Sequence, residues 1–422
     1  MINIKLNGKE EVLEGEMTIA LLLAKKGIRE EVVTVELNEG IIEKAKYSQT
    51  KLKNGDRVEF VFYMGGGSEK EKASKDKKIA IKYDHALEEQ KRAKVEVELQ
   101  KGKKEIFDLD QLKSGGYIRQ RQKDLFTVRL RCPGGRVSFE KLKKIAQVCV
   151  KYSKGDYVHI SNRQSIEIPY VHYKEFSALA DKLSEAGQMI ASCGPRVRVP
   201  TACSGCEYNP NGLVDVQKLA SEVDKKYFGI QCNHKFKISF SGCPIDCFRT
   251  NEMDLGFQGA VEPIWDEETC TGCRICGYAC KEGAITNDLK TGKPTIDRSK
   301  CLYCADCIRA CPTNSWKDGK VGLIVRIGGR HGRHPMNGSV IAAFLPEDKM
   351  GSVVEKVIEW YNEAGKGRGR IRIGDILREK WQEFVDFIKP HLGEYATENP
   401  QMPERIKIHT FQTGWMPQNS EA

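Results

Sequence analysis

Residues 234–248 read "HKFKISFSGCPIDCF", and the fold of the larger part of the chain turns on this stretch. It begins as a strand, on which Lys235 and Lys237, two positions apart, point to the same face. It ends in a C-x3-C pair, Cys243 and Cys247. Upstream, "TACSGCEYN" (201–209) supplies Cys203 and Cys206, and the 36 residues between the two pairs fit a helix and a returning strand. Four cysteines in two close pairs can hold a metal cluster.

Further along, "CTGCRICGYAC" (270–280) and "CLYCADCIRACP" (301–312) each carry the run C-x2-C-x2-C-x3-C. That spacing lets three thiolates face one iron–sulfur cube while the fourth reaches a second cube. The expected sets are therefore crossed: Cys270, Cys273, Cys276 and Cys311 for one cluster, Cys301, Cys304, Cys307 and Cys280 for the other. Zinc also uses C-x2-C pairs, but it needs no third cysteine at the same spacing twice over. Lys281 stands where a proline follows the second run. Such clusters carry single electrons, so this segment is a wire and the catalyst lies elsewhere.

Across the 422 residues, 40% apolar and 30% charged composition describes a soluble globular chain of two to four domains. No apolar run approaches the roughly 18 residues of a membrane helix. The start, "MINIKLNG", alternates like a strand and lacks the basic-then-apolar order of a secretion signal, so a cytoplasmic protein is expected. Sixteen cysteines in such a chain argue for metal sites over disulfides. The net charge of +10 is partly local: residues 68–104 hold 12 Lys/Arg against 8 Asp/Glu, without interleaved aromatics, which reads as a solvated connector and not a nucleic-acid surface.

The expected class is α+β. Residues 1–67 read strand, Asn7-Gly8 turn, strand, a helix closed by Gly27, the strand "VVTVELN" and, after Asn54-Gly55-Asp56, the strand "RVEFVFY". Gly65-Gly66-Gly67 follow, then the connector 68–104. Residues 105–192 alternate strands and helices. A second folded region, 193–262 and 320–392, is interrupted by the cysteine-dense insert 263–319, and the Pro- and polar-rich tail 393–422 is expected to be loosely ordered.

Residues 1–67 resemble the ubiquitin-like, β-grasp sulfur carriers of thiamin and molybdopterin synthesis. In that family the terminal carboxylate is adenylated and becomes a thiocarboxylate, and glycine suits a tail threaded into an activating enzyme. Here the chain continues. Either a protease cuts after Gly66 or Gly67, or the domain keeps the fold without the chemistry, or the glycines are a hinge. The first case implies a sulfur-activating enzyme and a processing protease as partners.

From Tyr117 to Leu392 the chain resembles the sirohaem-dependent nitrite and sulfite reductases, in particular short sulfite reductase subunits with an inserted two-cluster ferredoxin. "FTVRLRCPGG" (126–135), "HISNRQSIEI" (159–168) and "KFKISFSGCPIDC" (235–247) carry the likeness. The resemblance implies a ferredoxin-like half, a sirohaem/4Fe-4S half, three 4Fe-4S clusters and sirohaem. It assigns Arg129, Arg163, Lys235 and Lys237 to the substrate anion, and Cys203, Cys206, Cys243 and Cys247 to the third cluster, with Cys247 bridging to the sirohaem iron. Arg119, Arg121, Arg198, Arg330, Arg333 and His334 fall where the family binds the macrocycle's carboxylates. Burying sirohaem's eight carboxylates and an oxyanion requires several fixed cations, which these residues supply.

One position departs from the pattern. The family's first pair is C-x5-C, which would put a ligand at 209, and this chain has Asn209. Either Cys206 takes the place, or the cluster has three protein thiolates, or the site holds something else. Cys132, Cys149, Cys193 and Cys232 have no such spacing and read as packed thiols. The expected activity is six-electron reduction of sulfite to sulfide, drawing on an electron-donor protein and coupled to loading the fused carrier. Nitrite reduction and a non-catalytic carrier and electron-transfer protein are the alternatives. One repeat per chain implies a homodimer or a sister reductase subunit. The reading needs the cations to gather over the thiolate-anchored macrocycle, in one cavity.

Overall fold

The computed structural model describes residues 2–13, 15–26, 33–62, 94–98 and 104–406. The chain divides into two compact units, Met1–Ile81 and Lys82–Ala422. Gly65, Gly66 and Gly67, the helix-closing Gly27, most of the connector and the end of the tail lie outside the described residues.

In the first unit, β1 (Ile2–Leu6) and β2 (Lys9–Leu13) pair antiparallel across the Asn7-Gly8 turn. Helix α1 (Ile19–Lys25) starts at Thr18, whose hydroxyl accepts the Leu21 N–H. Strands β3 (Val33–Leu37), β4 (Gly40–Ile42) and β5 (Arg57–Phe62) complete a sheet in the order β2-β1-β5-β3-β4. The central pair β1–β5 is parallel, as a β-grasp sheet requires. Alternation places Ile4, Leu6, Val33, Val35, Val58 and Phe60 against Ile19, Leu22 and Leu23 of the helix. Tyr47 is fully buried, donating to the Val33 carbonyl and accepting from the Val35 N–H. The short β4 has no distinguishing pattern in the sequence.

The second unit opens with a hairpin of β6 (Lys94–Glu98) and β7 (Lys104–Asp108), so the connector expected to run to 104 ends earlier. Val95 and Val97 alternate with charges there, a period-two signal that a charge count overlooks. Helix α2 (Leu109–Ser114) leads to β8 (Tyr117–Arg119) and β9 (Leu125–Arg129), then α3 (Phe139–Tyr152), β10 (His159–Ile160), β11 (Ile166–His172) and α4 (Phe176–Ser184). The strands form a four-stranded antiparallel sheet, β10-β11-β9-β8. Ile145, Val148, Leu179 and Leu183 of the helices close over Val128, Ile166 and Ile168.

The second sheet is built from β12 (Thr201–Ala202), α5 (Val216–Tyr227), β13 (Ile238–Ser241) and β14 (Leu255–Trp265), followed after the insert by the remaining strands. The insert holds α6 (Ile275–Ala279), the hairpin β15 (Ile285–Asn287) and β16 (Pro294–Ile296), and α7 (Asp306–Ala310). Then come β17 (Trp316–Ile327), β18 (Met336–Asn337), β19 (Ser339–Leu345), α8 (Glu347–Ala364), α9 (Ile373–Glu379), α10 (Trp381–Leu392) and β20 (Glu404–Arg405). The sheet order is β12-β13-β14-β17-β19, with β12, β13 and β14 parallel and the rest antiparallel. Phe240 and Phe257 stack with ring centres 5.1 Å apart, in a core completed by Val353, Val357, Tyr361, Ile376 and Phe384 from the covering helices. The β14–β17 ladder runs out to Trp265↔Trp316, so the cysteine-dense insert rides at the end of a long hairpin.

The two halves are stitched by polar contacts. Arg131 donates from Nε to Asp224 Oδ2 at 2.8 Å and stacks over Phe228, while Gln217 donates to the carbonyls of Gly134 and Cys203. The tail is better ordered than expected as far as residue 406. Trp381 Nε1 donates to the Pro400 carbonyl, and β20 pairs with β18. Once an indole and a strand edge take up its backbone groups, a polar, Pro-rich segment need not float free.

Among the described residues the buried core of the first unit spans residues 4–60. Leu22→Ala should lower that unit's stability by about 2–5 kcal/mol and leave the unfolding of the second unit unchanged, which denaturation followed separately by hydrogen exchange in each unit would check.

Candidate cation and thiol site

Three parallel strands organise the chemistry, because parallel neighbours present all their N-terminal ends on one edge and all their C-terminal ends on the other. At the N-terminal edge stand Arg198 before β12, Lys235 and Lys237 before β13, and Asp254 before β14. Asp254, 1% exposed by side chain, accepts the Lys237 N–H at 2.9 Å and takes both arms of Arg372 at 2.7–3.0 Å. Neither Asp254 nor Arg372 carries any signal in the sequence: one is a lone acid before a strand, the other part of a basic run.

The four-stranded sheet brings further cations to this edge. Arg129 pairs with Glu167 at 2.6 Å and donates from Nη1 to the Cys193 sulfur at 2.9 Å. Arg163 donates to the Val199 carbonyl at 2.7 Å. Arg129, Arg163 and Arg198 line one small cavity with Asn162 and Ser192. Cys193, read as a packed thiol, is buried yet in contact with a guanidinium.

Crowding of like charge marks this edge. Burial, and then Arg163, push the Lys237 ammonium down to about 8 against the opposing pull of Asp254. Burial also brings Arg163 down to about 10, with Arg198 and Arg129 adding to the shift. Lys235 is lowered by burial, Arg372 and Arg198. Among the described residues the buried Arg198 Nε and His234 Nδ1 have no hydrogen-bond partner. Surplus positive charge with an unfilled arginine donor is what a polyanion would satisfy, so the residues fit a carboxylate-rich macrocycle and an oxyanion.

The thiols occupy the opposite edge. Cys203 follows β12, and its sulfur accepts the Gly242 and Gly205 N–H groups at 3.1 and 3.4 Å. Gly242 permits that approach, since a Cβ there would lie 2.9 Å from the Gly205 Cα. Cys243 follows β13, and burial, Cys203 and Cys247 push its thiol up. Cys206 is exposed, its N–H bonded to the Val214 carbonyl, and Asn209 Oδ1 accepts the Asn211 N–H within its own loop.

Lys237 and Cys243 are six residues apart in sequence, a span of up to about 20 Å in extended chain. The Arg129–Arg163–Arg198 cavity has no cysteine of the two pairs in its wall. One copy of the repeat therefore does not unite these cations with Cys243 and Cys247 in that cavity, contrary to the expectation of a single pocket. The direction of the parallel strands is the reason.

The other expected macrocycle residues are distributed. Arg330 pairs with Asp375 at 2.6 Å and donates to the His334 carbonyl, and Arg330 and His334 line a separate cleft with Arg378 and Arg405. That cleft adjoins the Arg163 region through the 250–253 loop: a Cβ on Gly329 would sit 2.2 Å from the Asn251 carbonyl oxygen, and Met253 Sδ lies 3.7 Å from Arg163. Arg121 and Arg333 are exposed, and Arg119 lies half-buried in β8.

In the insert, Cys270, Cys273, Cys276 and Cys311 line one cavity, together with Pro312 and Trp316. Cys280, Cys301, Cys304 and Cys307 line another, whose wall also includes Cys243, Pro244 and Ile245. Each run thus sends its last cysteine to the other's group. Burial, Cys304, Cys301 and Cys280 push Cys307 up to about 12. Burial opposes ionisation of Cys311 as well, but N–H groups of Trp316, Thr313 and Ser315 and the Thr313 hydroxyl bring it down to about 7. Thiols spaced around a cavity suit a cube whose irons accept thiolate. Among the described residues no three His, Cys, Asp or Glu side chains close on a single ion.

A redox domain with cation-rich and thiol-rich edges and an inserted pair of four-thiol groups is thus the class that fold and site define. Residues 193–394 match the nitrite and sulphite reductase 4Fe-4S domain, residues 118–186 the nitrite/sulfite reductase ferredoxin-like half domain, and residues 3–67 the ThiS family. The chain belongs to the nitrite/sulfite reductase family, with a ThiS-type domain fused at its N-terminal side.

An uncharacterized Methanocaldococcus jannaschii protein is 31% identical over 250 residues, covering 58% of this chain and 86% of that protein. The coenzyme F420-dependent sulfite reductase of the same organism is 27% identical over 301 residues, 71% of this chain and 48% of the relative, so the chain spans about half that relative's length. One of the subunits of the anaerobic sulfite reductase of Salmonella typhimurium is 26% identical over 260 residues, 57% of this chain and 76% of that relative. Among solved structures, dissimilatory sulfite reductase I shares the fold with a TM-score of 0.53 at 20% identity, over 65% of this chain and 72% of that one.

Asp254→Asn leaves the buried Arg372 without its counter-charge and should cost about 3–5 kcal/mol, whereas Asp254→Asn combined with Arg372→Met should recover most of the loss. Chemical denaturation of the full chain measures both.

Proposed function

We propose that this chain is the sirohaem- and 4Fe-4S-dependent subunit of a sulfite reductase, carrying out HSO3− + 6 e− + 6 H+ → HS− + 3 H2O. The observation that supports the reading is the shared cavity in which Cys243 meets Cys280, Cys301, Cys304 and Cys307, since a cluster on those four thiols would lie beside the third thiol centre. When bound, sirohaem would supply an iron at which the anion is reduced, and three 4Fe-4S clusters would supply electrons singly. The names of the similar Methanocaldococcus jannaschii and Salmonella typhimurium proteins favour sulfite over nitrite.

Cys270, Cys273, Cys276 and Cys311 would hold one cluster, and Cys280, Cys301, Cys304 and Cys307 the second. Cys203, Cys243 and Cys247 would hold the third, with Cys206 or a non-protein ligand completing it. Arg129, Arg163, Lys235 and Lys237 would neutralise the oxyanion. Arginine forks orient its oxygens, and Lys237, with its ammonium near 8, gives up a proton at neutral pH more readily than an ordinary lysine. Arg198, Arg330 and His334, with Arg119, Arg121 and Arg333, would take the macrocycle's carboxylates.

Because cations and thiols occupy opposite edges of the parallel strands, a second repeat would complete each centre, from another copy or a sister subunit. An electron-donor protein would feed the insert. If Gly66 and Gly67 end a processed carrier, sulfide made here would be taken up next to its acceptor as a thiocarboxylate, after an activating enzyme and a protease have acted. An uncut chain that accepts no sulfur, seen by mass spectrometry of the purified protein, would exclude that coupling.

Anaerobic purification should yield iron, acid-labile sulfide and a red-absorbing sirohaem band, and reduced viologen should be oxidised faster with sulfite than with nitrite. The reverse preference would make the protein a nitrite reductase. A chain with clusters but no red band would make it an electron-transfer protein.

Sulfite affinity should fall as pH rises from 7 to 9, because Lys237 loses its charge near 8 and a neutral amine no longer offsets the anion. Lys237→Arg should flatten that dependence, as an apparent KM profile would register, while lowering kcat through loss of the proton donor.

A further inference from the structure

Gln164 follows Arg163 directly, in the turn between β10 and β11. Its backbone is left-handed, φ 61°, a conformation that residues other than glycine rarely adopt, and its N–H donates to the Ser161 carbonyl at 2.9 Å. The side chain reaches β12, the outermost strand of the second sheet. There the amide makes two opposed hydrogen bonds with one residue: Oε1 accepts the Ala202 N–H at 2.9 Å, and Nε2 donates to the Ala202 carbonyl at 2.8 Å. An edge strand leaves such backbone groups open, and here a side-chain amide takes the place of the missing neighbour. Arg163 does the same one step along, donating from Nη2 to the Val199 carbonyl at 2.7 Å.

A second glutamine shares the same acceptors. Gln217 of α5, 7% exposed, donates from Nε2 to the carbonyls of Cys203 at 2.7 Å, Gly134 at 2.9 Å and Ala202 at 3.4 Å. Gln164 Nε2 also donates to Gly134, at 3.2 Å. Glycine is needed at 134 and 135, where φ is 57° and 76°: Cβ atoms would lie 2.2 Å from Gln217 Oε1 and 2.8 Å from Gln164 Nε2. Arg163, in the wall of the cation cavity, is thus one residue from Gln164, and Cys203, at the thiol edge, is one residue from Ala202. The strand between the two edges is only Thr201–Ala202, short enough for one amide to tie them.

We infer that Gln164 is a positioning residue that fixes the Arg163 guanidinium relative to the Cys203 loop, so that a change at one edge of the sheet is felt at the other. This rests on the proposed function, in that Arg163 meets the oxyanion and Cys203 ligates a cluster. Gln164 itself touches neither, and no bond, proton or electron changes hands there.

The test uses the full chain, purified anaerobically, as wild type, Gln164→Ala, Gln164→Glu and Gln188→Ala. Gln188 is the control: 3% exposed, it also donates from Nε2 to backbone carbonyls, those of Arg131 and Met189 at 3.0 and 2.8 Å, but it bonds to neither Ala202 nor Cys203. Iron, acid-labile sulfide and sulfite turnover of the wild type come first. A wild-type chain without clusters or without turnover would overturn the proposed function, and this inference with it.

In a loaded, active protein Gln164→Ala should raise the apparent KM for sulfite about tenfold, as the loss of two hydrogen bonds allows, with kcat changed by less than about threefold. It should also shift the reduced EPR signal of the Cys203-bound centre, identified by its loss in Cys203→Ser. Gln164→Glu sets a carboxylate against the Ala202 and Gly134 carbonyls and should do at least as much. Gln188→Ala should leave both KM and signal unchanged even where it lowers the melting temperature equally. Should Gln164→Ala lose its iron, Gln164→Asn should show the same paired change at smaller size. A Gln164 variant that alters only one of the two readouts, or a Gln188→Ala chain that alters both, would overturn the assignment.

Discussion

The structure depends on the parallel run of β12, β13 and β14. Hydrogen bonding in one direction gathers Arg198, Lys235, Lys237 and Asp254 at one edge and Cys203, Cys243 and Cys247 at the other. Every later feature follows from that division. The cations can crowd together without neutralising the thiols, and the thiols can face the insert away from Lys235 and Lys237.

Electrostatics at the cation edge is held in balance by few acids. Asp254 serves two masters, the Lys237 backbone and the Arg372 guanidinium, while Glu167 holds Arg129. Among the described residues Arg163 bonds a carbonyl and a thioether, and burial depresses it together with Lys237. A site that keeps this much unpaired charge out of water has use for an anion, because desolvated cations are costly unless a ligand compensates them. At the thiol edge the sign reverses: closely packed sulfurs resist ionising together, and a metal cluster resolves the conflict.

Much of this was legible in residue order. The repeated cysteine run states its own crossed grouping, because three cysteines at x2 spacing crowd one corner and the fourth must reach elsewhere. Helices such as Phe139–Tyr152, and the alternation of the first unit, follow from local periodicity. Less visible were the hairpin at Lys94–Glu98, masked by its charge, and the ordered tail to residue 406, whose partners Trp381 and Met336–Asn337 lie elsewhere in the sequence. Asp254, Arg372 and the Arg129–Cys193 contact left no pattern at all.

The sequence by itself determined the chemistry available: which thiols can share a cluster, that two lysines lead into the strand that ends at the second cysteine pair, and that the first domain has a β-grasp pattern. Spacing along a chain encodes such things because neighbours in sequence are neighbours in space. Only the tertiary structure decided that cations and thiols stand at opposite edges, that Cys243 adjoins one insert group and not the other, and that a lone aspartate steadies the cations. Those facts arise where strands far apart in sequence lie side by side, and no local pattern records the direction in which they pair.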